Sequence, residues 1–476
     1  MKMPQRLGPF HIIGLGGIGM SAIAEVMRAQ GYEVQGSDQR DGANLRRLAA
    51  KGIRIFAGHD PANLKGAAYV IISSAVKPGN PELDAALEAR LPVLSRAETL
   101  AEIMRGRATI SVTGTHGKTT TTSLTAFVLE AAGLDPTVIT GGIVNSWGSN
   151  ARTGQGDWMI VEADESDGTF TKLPTQVGVV TNIDPEHLDH HGSVEALHAA
   201  FEAFMAGVPF YGLVVACIDH PVVREMAGRA GHARNGRRIL TYGRSPDADL
   251  RLENTRTEDG AMHFDAWLGP KLKGGERRLR DLVLRQPGEH NALNALASIA
   301  VANNAGVSDE ALRKALAAFD GVKRRFTHTG SWLGVSVYDD YAHHPAEIAA
   351  ALKGAREVAK GRVIAVMQPH RYSRLKSLFD DFCVCFDSAD AVLIAPVYAA
   401  GEKPNGVDNR TLAAGVRAAG HGSVWALDDE DALASAIAGM ARPGDLVIGL
   451  GAGSISEWTS ALPGRLETLR QRGAAE

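Results

Sequence analysis

At 476 residues the chain exceeds what one hydrophobic core serves, so about three domains are expected. Hydrophobic residues at 45% and charged residues at 22% describe an ordinary globular composition, and a net charge of −4 gives no broad field to hold nucleic acid or an anionic membrane. Anionic ligands must therefore be gripped by local devices. The three cysteines, Cys217, Cys383 and Cys385, are too few for a disulfide framework and read as small buried side chains in a reducing compartment. No signal-like segment follows Met1 and no apolar run reaches membrane length, so a cytoplasmic protein without membrane insertion is expected.

Short apolar runs alternate with amphipathic stretches, the pattern of parallel sheets covered by helices in an α/β protein. In the first series, Phe10 to Ile13 reads as a buried strand, Gly14 to Gly19 as a turn, and Met20 to Gln30 as a helix. Strands follow at Tyr32 to Gln35, Ala68 to Ile72 and Pro92 to Leu94, and the domain is expected to end near Arg107. A second series opens with a strand at Thr109 to Val112 and a helix from Thr119 to Ala132. Its next strands are Trp158 to Glu162 and Val177 to Thr181. Gly243 to Leu284 reads as an antiparallel excursion, and Glu289 to Ala305 as an alanine-rich helix built for close packing. The third series starts near Val322, with strands at Val335 to Tyr338, Arg362 to Met367, Ala391 to Ile394 and Asp445 to Ile448.

Two glycine loops occupy strand-to-helix junctions. Gly14-Leu15-Gly16-Gly17-Ile18-Gly19 fits G-x-G-x-x-G, with Asp38 ending the next strand. Such a loop lets backbone approach a diphosphate at a helix N-terminus, and Asp38 could accept from ribose hydroxyls. It reports a diphosphate and a ribose, which a nicotinamide dinucleotide and UDP both carry; close packing of a glycine turn without ligand is the bland reading. The second loop, Thr113-Gly114-Thr115-His116-Gly117-Lys118-Thr119-Thr120, is a phosphate-loop variant with Val112 at the usual first glycine. Its N–H groups can cradle phosphate oxygens, Lys118 can neutralise the β/γ phosphates, and the Thr119 hydroxyl can face Mg²⁺. A dehydrogenase has no use for it.

Two strands end in acidic segments, Glu162-Ala163-Asp164-Glu165-Ser166-Asp167 and Asn182 to Asp189. Carboxylates gathered beside a phosphate loop call for a cation, though a solvated acidic rim reads the same way. His187, His190 and His191 lack the partner spacing of a zinc site. In the third series, Asp339-Asp340-Tyr341-Ala342-His343-His344-Pro345 and Gln368-Pro369-His370-Arg371-Tyr372-Ser373-Arg374 follow strands, where arginines could clamp a carboxylate or phosphate.

With His290-Asn291 added, these motifs resemble the Mur ligase family along essentially the whole chain, and within it the alanine-adding branch or its relative that ligates a recycled muropeptide. The resemblance implies a Rossmann-like UDP-sugar domain (1–107), a central phosphate-loop ATPase-like domain (108–321) and a C-terminal Rossmann-like domain (322–476). It implies ATP-dependent joining of L-alanine to the lactyl carboxylate of UDP-N-acetylmuramate through an acyl phosphate, for peptidoglycan synthesis, by a monomer or weak homodimer. Carried over residue by residue, Gly114, Thr115, His116, Gly117, Lys118, Thr119, Thr120, Asn291, Arg325 and Tyr341 are expected on ATP. Thr119, Glu162 and His187 are expected on Mg²⁺. Gly16, Gly17, Ile18, Ser21, Asp38, His59 and Ser74 are expected on the UDP sugar. Lys118, His343 and Arg371 form the expected catalytic set, joined by His370 and Arg374 on the substrate side. Where several relatives carry a carbamylated lysine beyond the metal-binding histidine, Leu188 to Gly207 contains none. Glu195 and Glu202 stand there instead, so any second Mg²⁺ is expected to be held by His187 and existing oxygen ligands, with Glu202 helping through water. A nucleotide-regulated binding protein and a dehydrogenase are the competing functions.

Overall fold

The computed structural model describes residues 4, 7–73, 75–232 and 237–473. Three sheets, each flanked by helices, make an α/β protein of three domains. By contacts the chain forms two compact units. The first takes in the chain through Asn254, Phe264–Leu282 and Leu293–Asp320; the second takes in Thr255–His263, Val283–Ala292 and the chain from Gly321 on.

The first sheet contains β1 (Phe10–Ile13), β2 (Val34–Asp38), β3 (Arg54–Ala57), β4 (Tyr69–Ile72) and β5 (Val93–Ser95), all parallel in the order β3-β2-β1-β4-β5. Every residue of β1 is buried, as a central parallel strand demands. The helix Ile18–Ala29 lays Met20, Ile23, Val26 and Met27 on that core. It starts inside the glycine motif, because Gly17 is its N-cap, so Ile18 and Gly19 are already helical.

The second sheet contains β6 (Ala108–Thr113), β7 (Thr137–Val144), β8 (Ser149–Arg152), β9 (Trp158–Glu162), β10 (Val177–Val180), β11 (Leu213–Cys217), β12 (Ile239–Gly243), β13 (Leu250–Glu258), β14 (Ala261–Leu268) and β15 (Arg277–Leu284), in the order β15-β14-β13-β12-β11-β10-β6-β9-β7-β8. The excursion read at Gly243 to Leu284 is its outer portion. Asp259 and Gly260, both at positive φ, join neighbouring β13 and β14 in a two-residue hairpin turn. The helix Lys118–Ala131 packs on Glu289–Ala305 through small hydroxyls: Thr121 Oγ1 donates to Asn294 Oδ1 at 3.1 Å, and Thr125 Oγ1 lies 2.9 Å from Ser298 Oγ.

The third sheet contains β16 (Thr327–Trp332), β17 (Val335–Asp340), β18 (Val363–Met367), β19 (Ala391–Ile394), β20 (Val424–Ala426) and β21 (Leu446–Leu450), in the order β16-β17-β21-β18-β19-β20, with only β16 antiparallel to its neighbour. The three cysteines are unpaired; Cys217 and Cys385 are buried and Cys383 is half-buried. Among the described residues no helix is long and apolar enough to cross a membrane.

Candidate active site

β1 lies between β2 and β4, so the chain's path reverses sides there and a crevice opens beyond the strand ends. A cavity of about 810 Å³ occupies it. Of the residues expected on the UDP sugar, Gly17, Asp38 and His59 line it. The Gly16 N–H donates to Asp38 Oδ2 at 2.9 Å, so Asp38 holds the loop as well as facing the cavity. Ser21 does not line it: the residue is fully buried one turn into the helix, and its hydroxyl donates to the Ile18 carbonyl at 3.0 Å. Ile18 is exposed on the first turn and does not line the cavity. Ser74 lies outside the described residues. Two cations absent from the expected set do line the cavity, Lys77 and Arg96. Arg96 Nη2 sits 3.3 Å from Asp167 and 3.7 Å from Asp164.

The phosphate loop follows β6, which is flanked by β10 and β9. Its glycines are obligatory. A Cβ on Gly114 (φ +132°) would stand 2.1 Å from Thr181 Oγ1, and one on Gly117 (φ +81°) 2.6 Å from Asn294 Oδ1. The end of β10 braces the loop. Thr115 N donates to Asn182 O at 3.1 Å, His116 N to Asn182 Oδ1 at 2.7 Å, and Thr181 Oγ1 to His116 O at 2.6 Å. Asp184 bridges the loop histidine His116 (3.2 Å) and His220 (3.3 Å), and both hold its carboxyl well below the usual range. Thr119 and Thr120 are buried at the start of the helix.

Lys118 Nζ donates to the Gly114 carbonyl at 2.6 Å, to the Thr115 carbonyl at 3.0 Å and to Glu165 at 2.9 Å. Burial pulls the ammonium's pKa down, but Glu165, Asp164 and Glu162 outweigh it and hold the ammonium charged. Burial also pushes the Glu165 carboxyl up, to about 7, against the pull of Lys118. Two oxygens alongside have a spacing that suits a small divalent cation. Mg²⁺ takes oxygens at roughly 2.0–2.1 Å in an octahedron, so neighbouring ligand oxygens lie about 2.9 Å apart. Thr119 Oγ1 and Glu162 Oε1 stand 3.0 Å apart. Glu162 is further fixed by Thr140 Oγ1 and the Gly141 N–H. His187, at φ 55°, leans 3.8 Å from both Glu165 and Glu186. Among the described residues no group of three His, Cys, Asp or Glu side chains gathers as a metal cluster. Glu195 is exposed, and Glu202 pairs with Arg229 on an exposed surface.

In the second unit, β17 ends in Asp339 and Asp340, followed by Tyr341 and His343. The guanidinium of Arg324 stacks 4.8 Å from the Tyr341 ring centre and that of Arg325 5.3 Å. His343 Nδ1 lies 3.1 Å from the Tyr341 carbonyl and 3.3 Å from Glu347. His370, after β18, meets the His343 ring at 5.9 Å and stacks on Tyr398 at 5.5 Å. Burial, then His343, Arg374 and Arg371, pulls the His370 pKa to about 4. Burial pushes the Asp340 carboxyl up to about 6, against Arg325. Arg371 holds φ 68°, ψ 136°, a conformation that non-glycine residues rarely adopt. Asn291 is buried, with Nδ2 donating to the Pro287 carbonyl at 2.7 Å. Tyr341, His343, His370, Arg371, Arg374 and Arg325 thus share the carboxyl edge of one sheet. Sequence reasoning missed Lys77, Arg96, His220 and Asn294. Only His220 carried a signal, its place just past the end of β11.

Three family descriptions match the chain in order: "Mur ligase family, catalytic domain" over 9–108, "Mur ligase middle domain" over 112–302 and "Mur ligase, glutamate ligase domain" over 324–453. The chain is 57% identical over 475 residues, all of both chains, to the UDP-N-acetylmuramate–L-alanine ligase of Methylobacterium nodulans. It is 55% identical to the ligase of that name from Bradyrhizobium diazoefficiens, covering 98% of this chain and 100% of the other. Among solved structures, the UDP-N-acetylmuramate-alanine ligase of Thermotoga maritima superposes with a TM-score of 0.81 at 28% identity, over 97% of this chain and 100% of that one. Two phosphate-type loops in adjoining sheets, an acidic rim beside the lysine-bearing loop, and family matches along nearly the whole length leave no room for a dehydrogenase: the chain belongs to the Mur ligase family.

Proposed function

We propose that this enzyme joins L-alanine to the lactyl carboxylate of UDP-N-acetylmuramate, with ATP as co-substrate and Mg²⁺ as cofactor, in peptidoglycan precursor synthesis in the cytoplasm. The observation that carries this reading is a lysine-bearing phosphate loop and a separate diphosphate-type crevice in one compact unit, in a chain 57% identical throughout to a ligase of that name. Residues 1–107 take the UDP sugar, 108–321 take ATP, and 322–476 take the amino acid. Three unpaired cysteines suit a reducing compartment.

The lactyl carboxylate attacks the γ-phosphorus of ATP, and ADP leaves from an acyl phosphate. The alanine amine then attacks the acyl carbon, the C–O bond to phosphate breaks, and an amide and inorganic phosphate result. Alignment and charge placement are the protein's contribution. Lys118 neutralises the β/γ phosphates, exchanging Glu165 for phosphate oxygens. Thr119 and Glu162, with His187, would hold Mg²⁺, which supplies further charge neutralisation. Tyr341, Asn291 and Arg325 take the nucleotide, and Arg371 clamps the alanine carboxylate beside His343, His370 and Arg374. Burial keeps His370 neutral at pH 7, an acceptor beside two arginines. The test is release of ADP and phosphate in equal amounts, dependent on both UDP-N-acetylmuramate and L-alanine. ATP turnover indifferent to either substrate would overturn the assignment.

A further inference from the structure

A carboxylate that the chemistry above does not use lies under the cavity of the first domain. Glu82, the second residue of the helix Pro81–Glu88, is fully buried, and no lysine or arginine pairs with it among the described residues. Donors surround it instead. Oε2 accepts from the Ser37 hydroxyl and stands 3.2 Å from His59 Nδ1 and 3.4 Å from His11 Nε2. Oε1 accepts from Asn63 Nδ2 at 2.6 Å and the Asp60 N–H at 3.3 Å. Burial alone would push this carboxyl up, yet the bonds from His11, Ser37 and Asn63 hold it down at about 2.

The network fixes proton positions. A carboxylate only accepts, and the Ser37 proton goes to Glu82, so His59 Nδ1 must donate, to Glu82 and to Ser37 Oγ at 3.0 Å. The Gln35 amide donates to the Asn63 carbonyl at 2.9 Å and lies 3.3 Å from His11 Nδ1, which packs His11 against the same group. In the neutral His59 ring, Nε2 therefore holds a lone pair. It has no hydrogen-bond partner among the described residues, and His59 lines the 810 Å³ cavity.

We propose that Glu82 is a positioning residue for the nucleotide-sugar cavity: it locks His59 as the Nδ1–H tautomer, so that Nε2 accepts a hydrogen bond from an N–H or O–H of the ligand's uridine. This rests on the UDP-sugar reading above. Glu82→Gln tests it. Whichever way the amide turns, its NH₂ meets donors, either Ser37, His59 and His11 or Asn63 and the Asp60 N–H.

The measurement is calorimetric binding of UDP-N-acetylmuramate to the full chain, for wild type, E82Q, His59→Ala and the double variant. E82Q should weaken binding about tenfold, the loss of one ligand hydrogen bond. The double variant should bind no worse than H59A, because Glu82 acts through His59. In steady state the KM for the UDP sugar should rise, with kcat and the alanine KM unchanged. Unaltered binding by E82Q, or losses that multiply in the double variant, overturns the proposal. A wild type that fails to bind the UDP sugar overturns the functional reading instead. UDP analogues separate the two uridine donors. N3-methyl-UDP becomes insensitive to E82Q if the imide N–H is the partner, and 2′,3′-dideoxy-UDP if a ribose hydroxyl is; sensitivity kept by both overturns the uridine assignment. Nitrogen NMR of the wild-type imidazoles needs no variant to fold: an Nδ1–H tautomer at His59 is expected, and an Nε2–H tautomer overturns the proposal.

Discussion

Arg371 combines an unusual backbone with a side chain whose geometry matters. At φ 68° it caps a six-residue helix, and its N–H donates to the Tyr398 carbonyl at 2.9 Å, so the loop fixes where the guanidinium starts. Arg371→Lys keeps the charge and loses the planar fork, so the alanine KM should rise about tenfold with the UDP-sugar KM unchanged; an unmoved alanine dependence would remove Arg371 from the clamp. Lys118 makes a different prediction, since it already sits against a buried carboxylate. Lys118→Ala should cut ligation by roughly 10³-fold or more. UDP-sugar affinity should stay within about twofold, because the cavity and the phosphate loop share no residue. Equal loss of both bindings, with the fold intact, would refute the two-site assignment. Lys118 was legible because its motif is local. Its partner Glu165 was readable only as one acid in a run, since sequence does not say which of four neighbouring acidic positions turns inward.

At the scale of elements, the phosphate loop and the end of β10 behave as one piece. Gly114→Ala would drive a Cβ into Thr181 and the Asn182 backbone. ATP binding should be lost, and stability should fall by about 1–3 kcal/mol; retained ATP affinity would show that the loop tolerates displacement. The turn after β17 responds to pH. Asp340 is buried and accepts from the Phe326 and Ala342 N–H groups. Its pKa is raised in the folded state, so its contribution to stability is complete below about 4 and is lost as pH rises towards about 6. Asp340→Asn should therefore be markedly less stable than wild type at pH 4.5, and the difference should shrink by pH 7 in urea unfolding; a pH-independent difference counts against it. Central strands such as β1 and β9 were plain in the sequence because they are continuous apolar runs bounded by glycine or acid. β3, β16 and β20 were not. They lie at sheet edges, half exposed, and show neither alternation nor a full apolar run. β7 was hidden by Gly141 and Gly142 inside it.

For the whole molecule, motifs at strand ends gave the three α/β series and the sides of the two loops, because parallel sheets gather their ligands at carboxyl edges. What they could not give were contacts distant in sequence, such as Arg96 with Asp167 or Glu82 with His11. The absence of a lysine over Leu188 to Gly207 still predicts bicarbonate-independent activity, even though Glu202 is committed to Arg229. Assays in CO₂-depleted buffer should run at the full rate, and rescue by added bicarbonate would reveal a carbamylated lysine elsewhere. The cysteines have a practical consequence. Cys217 belongs to the first unit, and Cys383 and Cys385 to the second. Burial raises all three thiols, Cys217 to about 11. A thiol that is both covered and protonated reacts only when its surroundings open. Pulsed alkylation followed by peptide mass spectrometry, read at the buried Cys217 and Cys385, thus gives the opening free energy of each unit separately, in the native chain, with no engineered probe.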